Sequence, residues 1–162
     1  MPSREISMMT PLMVSLYYKF EAAMQQAGVP FLVTCTARTY QEQVALYAQG
    51  RQMIDEVNYL RKAAGLPPIT LNENKKKVTW TLASKHIINL QDGDPRNDLS
   101  RAFDIVILKD GKAIWDVKAD INKNNIPDYK EAGSIGKSVG LIWGGDFYTP
   151  DYPHFQEPNV KL

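Results

Sequence analysis

The run Phe103-Asp104-Ile105-Val106-Ile107-Leu108 constrains this chain more than any other stretch. Its aromatic and β-branched residues specify a strand, and Asp110-Gly111 followed by Ala113-Ile114-Trp115 makes that strand the first arm of a β-hairpin. A carboxylate inside such a run needs a partner, because burying an unpaired charge is costly. The chain has 2 histidines. His86 lies in Ala83-Ser84-Lys85-His86, eighteen residues before Asp104, and His154 lies in Asp151-Tyr152-Pro153-His154-Phe155. Two histidines and one carboxylate are a full protein ligand set for a catalytic zinc, with the fourth position left to water.

The rest of the chain reads as helices followed by a small sheet. Thr10-Pro11 is a capping hydroxyl before a proline at the first helical position, and Leu12, Leu16, Phe20, Ala23 and Met24 recur at helical spacing up to Gly28. Phe31 to Thr36 is β-prone and reads as a buried strand. Thr39-Tyr40-Gln41-Glu42 is a capping box opening a helix that stops at Gly50, and a further helix spans Met53 to Ala64. Val78 to Trp80 is expected as a short strand. The polar stretch from Ala119 leads into a helix that Gly140 closes, and Leu141 to Trp143 is a last strand before Gly144-Gly145. The expected class is α+β, with N-terminal helices packed on a small, mostly antiparallel sheet that carries the zinc site.

Composition narrows the function classes. A length of 162 residues suits one domain, expected to span 1–162 without a separate binding module. A net charge of +1 offers no footprint for nucleic acid or an anionic membrane. No stretch has the apolar length of a membrane span and no phosphate-binding glycine loop occurs, and the N-terminal residues lead to the expectation of no export signal. The single cysteine, Cys35, excludes an intramolecular disulfide and reads as a small buried hydrophobe.

Three ordered segments carry a family resemblance. Ser84-x-His86, Ala102-x-Asp104 and Asp151-x-x-His154, with Trp143-Gly144-Gly145-Asp146-Phe147 before the last, resemble the zinc peptidases that cut bacterial cell-wall peptides. These are the D-alanyl-D-alanine carboxypeptidase and L-alanyl-D-glutamate endopeptidase group. Upstream, Arg38-Thr39, Gln43, Leu46-Tyr47 and Gly50 resemble that group's Arg-Thr-x-x-x-Gln-x-x-Leu-Tyr-x-x-Gly run. In the group's pattern the aspartate follows the histidine by seven residues, so about eleven are inserted here, within Ile87 to Asp98, and Ser100 stands where the pattern has glycine. The insertion contains Asp92-Gly93-Asp94-Pro95, which reads as a surface turn. Asp92, Asp94 and Asp98 are therefore rival ligands to Asp104, which alone opens a strand.

The resemblance implies roles. His86, Asp104 and His154 would hold zinc, and Asp151 would be the general base. Arg38 would bind a substrate carboxylate, for which its fork is suited. Ser84 would either bond near the substrate or cap a turn. Trp143 and Tyr148 are read as aromatic core in preference to walls of a groove.

A second metal is expected from spacing alone. Asp120, Asn122, Asn124, Asp128 and Glu131 offer side-chain oxygens at positions 1, 3, 5, 9 and 12 of a calcium loop, and Ile126 at position 7 offers its backbone carbonyl. Asn125 occupies the position that usually needs glycine. A structural or regulatory Ca2+ bound there would order the segment before Trp143.

The function these residues imply is a zinc-dependent endolysin hydrolysing the L-alanyl-D-glutamate bond of peptidoglycan stem peptides. D-alanyl-D-alanine carboxypeptidase activity and a non-catalytic, metal-stabilised structural module are the alternatives. The resemblance further implies a monomer of phage origin with no nucleic-acid partner and no stable membrane association. It would accumulate in the host cytoplasm and reach periplasmic peptidoglycan when a holin permeabilises the inner membrane.

Overall fold

The computed structural model describes residues 2–159, so the ends of the 1–162 span lie outside the described residues. Helix α1 (Pro11–Ala27) begins where Thr10 accepts from the Met13 N–H and ends at Gly28, whose φ of 71° permits the left-handed turn. Its buried stripe is Met13, Leu16, Tyr17, Phe20 and Met24, while Leu12 faces outward. Strand β1 (Phe31–Cys35) leads to β2 (Arg38–Thr39) and then to α2 (Tyr40–Ala48), which the Thr39–Glu42 capping box opens. Helix α3 is Ile54–Ala63. Strand β3 (Ile87–Ile88) precedes the hairpin of β4 (Ala102–Lys109) and β5 (Lys112–Ile114). The hairpin turn uses positive φ at Asp110 (51°) and Gly111 (75°), as a two-residue connection requires. Helix α4 (Asp128–Val139), β6 (Ile142–Trp143) and β7 (His154–Gln156) complete the chain.

β4 is the hub of the main sheet. The strand order is β1-β4-β7-β6, with β5 also paired to β4, and these pairings are antiparallel. β2 and β3 form a separate parallel pair. Because side chains alternate along a strand, Phe103, Ile105 and Ile107 enter the core with α1 and α4, while Asp104 emerges on the opposite face. The core is aromatic at its centre. Phe103 stacks on Phe155 at 5.3 Å between centroids, and Phe20 lies 4.8 Å from Phe155. Such pairs add about 0.5–1.5 kcal/mol each to the burial of their area.

The α+β class holds, with three local differences. β1 is an edge strand and only partly buried, with Leu32 exposed, because β4 covers one side of it alone. Val78 to Trp80 has strand-like residues but finds no partner strand and stays irregular. The last strand, β7, was not expected, since its three residues are too few to show an alternation. Among the described residues no helix is long and apolar enough to cross a membrane.

Candidate metal centre

The register of the sheet builds the site. Asp104 on β4 lies opposite His154 on β7, and opposite Cys35 on β1 on its other side. The neighbouring register pair on the β7 side is Phe103 and Phe155, so one strand pairing sets both the core stack and the polar site. His86 arrives from the turn before β3, and its carbonyl accepts from the Arg38 N–H at 2.8 Å. Ser84 Oγ accepts from the His86 N–H at 3.2 Å, which fixes that turn, and Ser84 also lines the adjoining cleft.

Three donor atoms converge. His86 Nε2 lies 3.0 Å from Asp104 Oδ1, His154 Nδ1 lies 2.9 Å from the same oxygen, and the two nitrogens are 3.2 Å apart. Ligands at zinc distances on a tetrahedron stand about 3.3 Å apart, so this triangle has the size of one tetrahedral face. The outer partners set the tautomers. His86 Nδ1 donates to the Thr36 carbonyl at 2.8 Å, which can only accept, and His154 Nε2 donates to Gln156 Oε1 at 2.9 Å. Both inner nitrogens therefore present lone pairs toward a carboxylate oxygen, an arrangement that calls for a cation or a proton. The fourth direction opens on a cleft of about 740 Å³.

The electrostatics agree. Burial opposes ionisation of Asp104, but with protons on the inner nitrogens in place of a metal the His86 charge and the hydrogen bonds from both histidines outweigh it and hold its carboxyl well below the usual range. Burial likewise works against a charged His154, yet its Asp104 partner raises the imidazole pKa. The pocket thus favours positive charge where the three atoms meet. Cys35, His86 and Asp104 also have donor atoms within 4.8 Å of one another, which offers a different trio. Of the two trios the one with His154 is the tighter, with edges of 2.9–3.2 Å. The thiol contacts His86 Nδ1 at 3.8 Å, on the side turned away from the triangle, and burial pushes its pKa up to about 12.

Asp151 lines the same cleft. Although its side chain reaches solvent, crowding by surrounding protein raises its pKa and the Asp104 charge adds to this, against His154, His86 and Arg38. Its position is set by the glycine of the Trp143-Gly144 pair. The Asp151 N–H donates to the Gly144 carbonyl at 2.8 Å, the Trp143 indole N–H donates to the Tyr152 carbonyl at 2.9 Å, and a Cβ on Gly144 would meet His154 Cβ at 2.9 Å and the Asp151 backbone. Only a residue without a side chain lets the turn from Asp151 to His154 lie this close.

The insertion stays apart from the metal face. Asp92 accepts from Asn89, the Asp94 N–H and Asn97, and Asp94 pairs with Arg96, so both serve their own exposed turn. Ser100, in the glycine position of the motif, is fully buried and donates to the same Thr36 carbonyl that receives His86. Arg38 has an internal partner that the sequence did not reveal. Its Nη2 donates to Asp104 Oδ2 at 3.1 Å and its Nη1 to Gln43 Oε1 at 3.1 Å. Gln43, wholly buried, in turn donates to Thr79 Oγ1 and the Thr81 carbonyl, which line the cleft. Trp143 is core, as expected, whereas Tyr148 is not: it stands fully exposed on the lining of the cleft, in the loop that follows the turn at Gly144–Asp146.

Two residues behind the site escaped sequence reading, Gln156 and Thr36. Gln156 stands two positions from His154, the same-face spacing of a strand, and that signal needed β7 to be recognised first. Another hollow of about 730 Å³, between α1 and β1, is lined by Tyr17, Met24 and Phe31 and holds no comparable cluster.

The sequence model of the D-alanyl-D-alanine carboxypeptidase family matches residues 98–157, a segment that includes Asp104, Asp151 and His154. The chain is 30% identical over 138 residues to the peptidoglycan L-alanyl-D-glutamate endopeptidase CwlK of Bacillus subtilis, covering 84% of this chain and 65% of that protein. It therefore spans slightly less than two thirds of that relative. The structure resembles the crystal structure of the Serratia marcescens L-Ala D-Glu endopeptidase ChiX with a TM-score of 0.53 and 18% identity, over 97% of this chain and 88% of the other. That likeness bears on the fold.

Proposed function

We propose that this chain, like the D-alanyl-D-alanine carboxypeptidase and L-alanyl-D-glutamate endopeptidase proteins it is similar to, is a zinc peptidase that hydrolyses the L-alanyl-D-glutamate bond of peptidoglycan stem peptides. The observation that carries this reading is the triangle of His86 Nε2, Asp104 Oδ1 and His154 Nδ1, with edges of 2.9–3.2 Å and its fourth side open to the cleft. Three protein donors with an open position are the pattern of a catalytic zinc, whereas a structural zinc takes four. This weighs against a purely structural module.

A zinc bound there supplies a Lewis acid for the scissile carbonyl and lowers the pKa of a bound water. The chain's own groups do the rest. Asp151, with its raised pKa, takes a proton from the attacking water and returns it to the leaving amine. Thr36 and Gln156 hold the two imidazoles in the tautomers that ligation needs. Arg38 orients Asp104 through Oδ2 and, lying on the cleft wall, remains within the proposed binding surface for a stem-peptide carboxylate. Ser84 serves first as the cap of the His86 turn.

Two substitutions test the assignment. His154→Ala is expected to lose both zinc and activity, while Asp151→Ala keeps zinc near one per chain and loses about 10²-fold or more in kcat. Digestion of purified peptidoglycan at the normal rate by the Asp151 variant would remove it from the mechanism. The proposal extends to lysis of a phage host from within, with release by a holin. Expression in the cytoplasm should then leave cells intact until a membrane-permeabilising protein is co-expressed.

A further inference from the structure

The loop between β5 and α4 has no part in the zinc chemistry, yet it is built with unusual economy. Asp120 accepts from the backbone N–H groups of Asn124 and Asn125 at 3.2 and 2.8 Å. Lys123 and Asn125 adopt positive φ of 55° and 69°, the second at the position where such a loop turns most sharply. The Asp128 N–H donates to the Ala119 carbonyl at 2.8 Å, and Asp128 Oδ2 accepts from the Ile121 N–H at 2.8 Å, which closes the loop on the first turn of α4. The amide Nδ2 groups of Asn122 and Asn124 both donate to Glu131 Oε2, at 3.1 and 2.9 Å. The side chains at positions 3, 5 and 12 therefore meet at one point.

What the loop lacks is positive charge. Asp128 is wholly buried and its Oδ1 has no hydrogen-bond partner, and the buried Oδ1 of Asn122 has none either. Both atoms are acceptors, so neither can satisfy the other, and each carries the desolvation penalty of a buried orphan. Among the described residues, no ion pair involves Asp120, Asp128 or Glu131. Burial raises the Asp128 pKa and the charges of Asp120 and Glu131 raise it further, as expected for carboxylates gathered without a counter-ion.

We propose that residues 120–131 bind a calcium ion, held by Asp120, Asn122, Asn124, the Ile126 carbonyl, Asp128 and Glu131, which would give the buried, unpartnered oxygens of Asn122 and Asp128 a partner. The all-oxygen donor set and the spacing 1, 3, 5, 7, 9 and 12 suit Ca2+ better than Mg2+, which keeps its waters and demands a stricter octahedron. The ion would act on the fold. Asn122 Nδ2 also donates to the Ala27 carbonyl at the end of α1, so the loop already joins α1 to α4. Helix α4 packs through Gly133 on Trp143 and through Gly136 on Phe155, the residue beside His154. Calcium thereby braces the half of the molecule that carries Asp151 and His154, while remaining separate from the zinc triangle and independent of the peptidase reading.

The test uses the full chain loaded with zinc, titrated calorimetrically with calcium chloride and, separately, magnesium chloride, with melting temperature recorded in parallel. Saturable binding of one calcium per chain is expected, with a rise in melting temperature on the order of 5 °C at calcium about 100-fold above Kd. Glu131→Gln and Asp120→Asn, both isosteric changes at half-buried side chains, should weaken calcium binding by about tenfold or more and leave zinc content unchanged. His154→Ala should lose zinc and keep the calcium response, which separates this claim from the zinc assignment. Absence of both heat and thermal shift at calcium up to about 10 mM, above the range of weak extracellular sites, would overturn the proposal. Equal calcium binding by the wild type and both loop variants would overturn it too, since the ion would then lie elsewhere.

Discussion

At the scale of single residues, the site depends on which nitrogen of each imidazole carries the proton. Thr36 and Gln156 decide this from behind the ligands. Gln156→Leu removes the acceptor of the His154 N–H, so zinc affinity should fall about 10–100-fold, measured by competition with a chromogenic chelator, with little change in fold. The raised pKa of Asp151 has a kinetic consequence. A general base works only when ionised, so kcat/KM should fall as pH drops through that raised value, an acid limb lying above the ordinary aspartate range of about 3.9. Asp151→Glu should shift the limb and retain measurable activity, and a pH–rate profile reads it directly. Asp104 was legible because a carboxylate in Phe103 to Leu108 demanded an explanation. The Arg38–Asp104 pair was not legible, since it joins residues 66 apart through a register that only the folded sheet fixes.

Among elements, β7 couples core to chemistry. Phe155 stacks on Phe103 while His154 faces Asp104 one position away. Phe155→Ala should cost about 3–5 kcal/mol in denaturant unfolding and also weaken zinc binding, because the same strand loses its seat. Gly144→Ala should be milder for stability, at about 1–3 kcal/mol, and severe for activity, since the added methyl displaces the turn from Asp151 to His154. In the loop before α4, Asp128 has a folded pKa raised above its unfolded value. Its favourable contribution is therefore full below the unfolded pKa and lost as pH rises through the folded one. Without calcium, Asp128→Asn should melt above the wild type at neutral pH, and the gap should close as pH falls; with calcium the order should reverse. The helix signals at Thr10, Thr39, Gly28 and Gly140 were all readable, because caps are local chemistry. Strand partners are not local. Val78 to Trp80 had the composition of a strand and no neighbour to pair with, and His154 to Gln156 had a neighbour but too few residues to announce it.

In the whole molecule, an aromatic core between α1, α4 and the main sheet holds the converging donors of His86, Asp104 and His154 open to a cleft of about 740 Å³. The ordered motifs made that face visible in advance, because ligand types and their order survive an insertion. The structure explains why they survive it: the insertion carries an exposed turn in which Asp92 and Asp94 bond to their own loop. The cleft rim adds Trp80, Trp115 and Tyr148, which are 58%, 59% and 105% exposed and so are surface contacts, not core. The most direct test is mass spectrometry of muropeptides released from purified peptidoglycan by the zinc-loaded protein. The expected result is stem peptides beginning at D-glutamate together with glycan-linked L-alanine, and neither product with His154→Ala. Release of terminal D-alanine alone would reassign the bond to a carboxypeptidase, and intact peptidoglycan under zinc-replete conditions would contradict the peptidase reading itself.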